Sequence, residues 1–118
     1  MNIDQKIQNV FKPFIGVCVP KQYGGKAEEF VVYSYSSDPL AFFDNKPFGL
    51  SYSISAHWFF PWKPNNIASD KVISKKQQIV QAFVDAGFFV LSVYPGDDDE
   101  WDEIVFEVSF ESMESETV

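Results

Sequence analysis

The sequence predicts an α+β fold, a four-stranded antiparallel or mixed sheet packed against one long and one short helix. Three observations predict it. Residues 50–58 alternate, with Leu50, Tyr52, Ile54, Ala56 and Trp58 on one side and Ser51, Ser53, Ser55 and His57 on the other. That is the period of a strand with one buried and one wet face. Residues 103–111 alternate the same way, Ile104, Phe106, Val108 and Phe110 against Glu103, Val105, Glu107, Ser109 and Glu111. Between them, Val72, Ile79, Val80, Phe83, Val84 and Ala86 recur at helical spacing.

The elements follow in order. Ile3, Ile7, Val10 and Phe11 form the apolar stripe of a short helix, which Pro13 closes. Residues 13–20 lie between prolines and read as an extended connection packed on the core. Gln22-Tyr23-Gly24-Gly25 is a turn. Residues 29–36 are aromatic and β-branched, hence a strand that Asp38-Pro39 breaks. Leu40 to Phe43 then make a short edge strand or the arm of a long loop. After the 50–58 strand, Phe59-Phe60-Pro61-Trp62-Lys63-Pro64 reads as an aromatic, proline-rich loop. Ser69 is placed to cap a helix from about Asp70 to Ala86, Asp70 suits its dipole, and Gly87 stops it. Lys71, Lys75 and Lys76 fall on its outer face. Residues 88–94 are apolar enough for a strand buried on both faces, and an acidic turn joins them to the last strand. The expected organisation is one domain, residues 1–112, with a flexible acidic tail at 113–118.

Composition narrows the class. The chain has 118 residues, 46% of them hydrophobic, including 13 Phe, 5 Tyr and 3 Trp. Disordered chains are poor in such residues. No apolar run reaches the roughly 20 residues of a membrane span, and the first residues have no secretory pattern. A single cysteine, Cys18, allows no intrachain disulfide and suits a reducing compartment. The expectation is a cytoplasmic origin. Charge is split along the chain: residues 1–94 carry all 9 lysines and 7 acids, whereas residues 95–118 carry 10 acids and no base. Arginine is absent. Bidentate grips on phosphate or guanine favour arginine, and an acidic surface repels the nucleic-acid backbone. Specific nucleic-acid binding is therefore not expected.

No pattern points to catalysis, a metal or a cofactor. His57, the only histidine, reads as an exposed strand residue, since carboxylates at ligand spacing are not near it in sequence. Cys18 reads as a core thiol. Asp97-Asp98-Asp99-Glu100 with Asp102 lacks the ligand spacing of an EF-hand loop and reads as a solvated turn. The serines lack a nucleophile-elbow context, and Gly24-Gly25 is not a phosphate loop. Two features ask for more than a monomer. Apolar residues crowd the expected loops, and Phe42, Phe43, Phe59, Phe60 and Trp62 are candidate interface residues. Glu103, Glu107 and Glu111 form an acidic face on the last strand, either for solubility, to repel DNA, or to meet a basic partner.

Several motifs occur in a set order: Phe30-Val31-Val32-Tyr33, Ser37-Asp38-Pro39 leading to Phe43-Asp44-Asn45-Lys46-Pro47, and Ser51-Tyr52 with Ile54. Next come Phe83 with Ala86-Gly87-Phe88, then Tyr94 before the acidic turn, and an aromatic strand ending at Phe110. Over about residues 1–112 this order resembles the small tail-completion, or tail-terminator, proteins of siphophages and prophages of low-GC Gram-positive bacteria. Members usually carry a His or Arg on the last strand, where this chain has Glu107-Val108-Ser109. The resemblance implies a virion structural protein that closes the tail tube as a hexameric ring and joins it to the head. Implied partners are further copies, the tail-tube protein and the head connector, with DNA passing through unbound. The implied location is the tail or neck of the virion, and the host cytoplasm during assembly. The rival readings are a small acidic inhibitor or immunity-type module that masks a basic protein, and a head–tail adaptor.

Overall fold

The computed structural model describes residues 2–39, 42–43, 46–47, 49–61 and 69–112, with the backbone alone at 42, 43, 46 and 47. Among them the chain forms α1 (Ile3–Phe11), β1 (Cys18–Pro20), β2 (Phe30–Pro39), β3 (Phe42–Phe43), β4 (Lys46–Pro47), β5 (Leu50–Pro61), α2 (Asp70–Asp85), β6 (Phe89–Pro95) and β7 (Trp101–Ser112). The class is α+β, as expected. The main sheet has five strands rather than four, in the order β1-β2-β5-β7-β6, and β3 pairs with β4 separately. The extra strand is β1, which pairs parallel to β2 through Cys18, Val19 and Pro20. Three residues are too few to show an alternation, so the segment read as a connection. The other pairings of the sheet are antiparallel, which makes it mixed. β5, α2 and β6 form a split β-α-β unit, and β7 fills the gap between its strands.

Both helices lie on one side of the sheet. Ile7, Phe11, Ile79 and Phe83 pack there against Val31, Tyr33, Ile54, Ala56, Trp58, Phe106 and Val108. α1 starts with a capping box: Asn2 Oδ1 accepts from Gln5 N, and Asn2 N donates to Gln5 Oε1. It is tied to β2 by Asp4, whose carboxylate accepts from Tyr33 Oη at 2.7 Å and Tyr35 Oη at 2.9 Å. α2 runs as expected, with Ser69 Oγ accepting from Val72 N and Gly87 at φ +92 after its end. Lys75 is not simply outward. It bonds Glu29 at 3.0 Å while Glu29 also accepts from Trp58 Nε1 at 2.9 Å. No helix among the described residues is long and apolar enough to cross a membrane.

Three further expectations are corrected. β2 continues through Asp38 and Pro39, paired with Ser51 and Leu50. β1 covers β2 only as far as Tyr33, so beyond it β2 has a free side on which proline costs no ladder bond. β5 likewise runs past Trp58 through Phe59, Phe60 and Pro61, paired with Glu103, Asp102 and Trp101. β6 is not buried on both faces. It is the sheet edge, with Phe89 61% and Leu91 67% exposed, and its register slips between Val90 and Ser92. Cys18 packs half-buried against the core, and burial pushes its thiol up to about 12, so it stays protonated over the ordinary pH range.

Candidate functional site

The face of the sheet away from the helices carries a run of linked polar side chains that crosses several strands. Register places Val32, His57 and Val105 in one row across β2, β5 and β7, with Phe30, Phe59 and Glu103 in the next. Ser34, Ser55 and Glu107 form the row on the other side. His57 is thus not a free strand residue. Its Nδ1 lies 2.5 Å from Glu103 Oε2 and its Nε2 lies 3.1 Å from Ser55 Oγ. Ser55 in turn donates to Glu107 Oε1 at 3.1 Å, which also accepts from Tyr94 Oη at 2.8 Å. The result is a hydrogen-bond chain, Glu103–His57–Ser55–Glu107–Tyr94, crossing three strands. That bond to Glu107 raises the Tyr94 hydroxyl above its ordinary pKa.

The order serine, histidine, carboxylate is the order of a nucleophile, its base and its orienting acid. The surroundings do not fit that chemistry. The Ser55 hydroxyl hydrogen goes to Glu107. An acyl-transfer site also needs N–H groups converging on a developing oxyanion, whereas the backbone of β5 is laddered to β2 on one side and β7 on the other. Among the described residues no group of three or more His, Cys, Asp or Glu could hold a metal ion.

Glu103, Glu107 and Glu111 share one side of β7, but the three differ. Glu103 is 8% exposed and held by His57, Glu107 is half-buried in the chain above, and only Glu111 is exposed. Gly96 contributes to this burial. A Cβ there would overlap the Glu103 carboxylate as it now sits, so the turn after β6 lies directly over that carboxylate with no side chain between.

Of the candidate interface residues, Phe60 is buried at 4% and points to the helices beside Trp58, so it belongs to the core. The pleat explains it: Phe60 continues the Tyr52-to-Trp58 side of β5. Phe59 lies on the opposite face, stacked on Phe30 at 5.1 Å. The side chains of Phe42 and Phe43, all of Trp62, and the expected tail at 113–118 lie outside the described residues. Among the described residues the most exposed large apolar side chains are Leu91 and Phe89 on β6 and Val84 on α2.

No known family model and no curated protein matches the chain.

Beside His57 the outer face opens into a cleft of about 650 Å³. Tyr23, Phe30, Phe59 and Trp101 line it, with Phe30 in ring contact with the other three. Asp98, Asp99 and Glu100 stand on one rim and Lys21 on another. Asp98 also organises its turn, its Oδ2 accepting from Glu100 N at 3.0 Å and Trp101 N at 2.8 Å. Lys21 has φ 71, a left-handed conformation that side chains with a Cβ resist. Replacing Lys21 by glycine is expected to raise stability by about 1 kcal/mol in urea unfolding, because glycine adopts that conformation without steric cost. An unchanged midpoint would mean that Lys21 makes side-chain contacts of equal worth.

Proposed function

We propose that this chain is a non-enzymatic structural protein of a phage virion, one that ends the tail tube and joins it to the head as a ring of six copies, the number the resemblance implies. The observation that supports assembly is the edge strand β6. Among the described residues no strand pairs with its outer edge, and its side chains Phe89 and Leu91 are exposed. Folded monomers usually blunt such an edge with charge or cover it; here the side chains at it are apolar. The opposite edge of the sheet is β1, so a contact from one edge region to a different surface of the next copy is heterologous, the geometry that closes rings.

The outer face away from the cleft supports a passage for DNA. Ser34, Ser36, Ser53, Ser55 and Ser109 lie there with Asp38, Glu107 and Glu111. A surface of hydroxyls and carboxylates offers phosphate no cation to hold it, so a genome can slide past. Partners on this reading are other copies, the tail-tube protein and the head connector.

The test is negative-stain microscopy of material captured on the tagged protein from cells making phage tails. Tag density at the head-proximal end of tails is the expected result. Capture of a single basic protein without tails would overturn the reading in favour of an acidic inhibitor, a function the acidic cleft also suits.

A further inference from the structure

We propose that the cleft beside His57 is a docking site for a basic segment of a partner protein, with an arginine side chain lodged between the aromatic wall and the acidic rim. Phe30, Phe59 and Trp101 supply the aromatic wall, and Asp98, Asp99 and Glu100 the rim. Aromatic faces attract cations, and more strongly where water is partly excluded. The rim adds a direct Coulomb attraction that an anion or a phosphate would meet as repulsion. A planar guanidinium satisfies both surfaces, since it stacks on rings and forks its N–H donors to carboxylates, which an ammonium does less well. The rim is also pre-formed, because Asp98 pins the backbone of Glu100 and Trp101. Behind the wall Glu103 is engaged by His57, so the carboxylates free to receive a ligand are those of the rim. Lys21, the one lysine lining the cleft among the described residues, opposes the ligand and sits in a strained backbone conformation.

The proposal follows from the cleft and does not depend on where the protein acts. Tag position on tails decides the tail reading separately, so failure here leaves that reading standing.

The experiment is a titration of the full ¹⁵N-labelled chain with an acetylated tetra-arginine amide at low salt, followed by amide and indole shifts. Saturable shifts centred on Phe30, Phe59, Glu100 and Trp101 are expected. A variant with Asp98→Asn, Asp99→Asn and Glu100→Gln should bind about tenfold more weakly, the scale of a lost charge-assisted contact. Trp101→Leu, which leaves the charge intact, should weaken binding about threefold to tenfold through the lost ring. Lys21→Gly should tighten it, and tetra-lysine should bind more weakly than tetra-arginine. Shifts centred on Glu111 instead, an unaltered affinity in Trp101→Leu, or no saturation at millimolar peptide would overturn the proposal. Equal binding of spermidine at the same residues would also overturn it, and would assign the cleft to polyamines.

Discussion

Phe83→Ala is expected to lower the unfolding free energy by about 4 kcal/mol, within the range for removing a fully buried phenylalanine. Phe83 has no exposed surface, and its ring lies 5.3 Å from Phe11 at 86°, 5.2 Å from Phe88 at 75° and 6.0 Å from Phe106. It is the point where α1, α2, the lead-in to β6 and β7 meet. Alanine there removes both the transferred apolar area and the edge-to-face contacts, and the surrounding rings cannot all relax into the space. A domain has only about 5–15 kcal/mol in total, so the variant should unfold at a much lower urea midpoint with an unchanged slope. Phe89→Ala is the control: at 61% exposed it should shift the midpoint by less than about 0.5 kcal/mol. On the assembly reading it should instead weaken self-association. Equal costs at the two positions would mean that the helix layer is not packed as described.

The contrast between these two phenylalanines shows what could be read from the chain. Phe83 falls on a stripe with Ile79 and Val72, bounded by a capping serine and a stopping glycine, and each signal is local. Phe89 stands in the run Phe88-Phe89-Val90-Leu91, which reads the same for a central strand as for an edge strand. Which it becomes depends on β7 taking the place between β5 and β6, and a bulge near Leu91 then hides the alternation. Proline misled in the same way. Pro39 and Pro61 end long strands at places where the neighbouring strand has run out, a fact about register and not about the local sequence. The polar chain was the least legible. His57 and Glu103 are 46 residues apart, and only the β5–β7 pairing makes them neighbours. The alternation did place His57 and the three glutamates on wet sides of their strands. That the two sides are one face, and that Gly96 closes over Glu103, needed the sheet.

Removing the histidine should be costly for that reason. His57→Leu is expected to destabilise by about 2 kcal/mol, and Glu103→Leu made in the same chain should return most of it. Glu103 cannot simply turn to water: the Gly96 backbone covers it, and it is 8% exposed. Without the Nδ1 donor its charge would stay buried, with Glu107 on the same face of β7 and no donor in the place of His57. The loss of one partner of a fully buried pair reaches about 3–5 kcal/mol. The His57 side chain is 36% exposed, so water reaches the site from that side and the lower figure applies. Leucine at both positions replaces the pair by apolar contact with Val105 and Phe59, which already lie on this face. A double-mutant cycle in urea isolates the effect, and the expected coupling energy is about 1.5 kcal/mol. Coupling near zero would mean that Glu103 escapes to solvent when His57 is gone. The turn at Gly96 would then be loose, and the acidic rim that follows it would have no fixed position from which to hold a ligand.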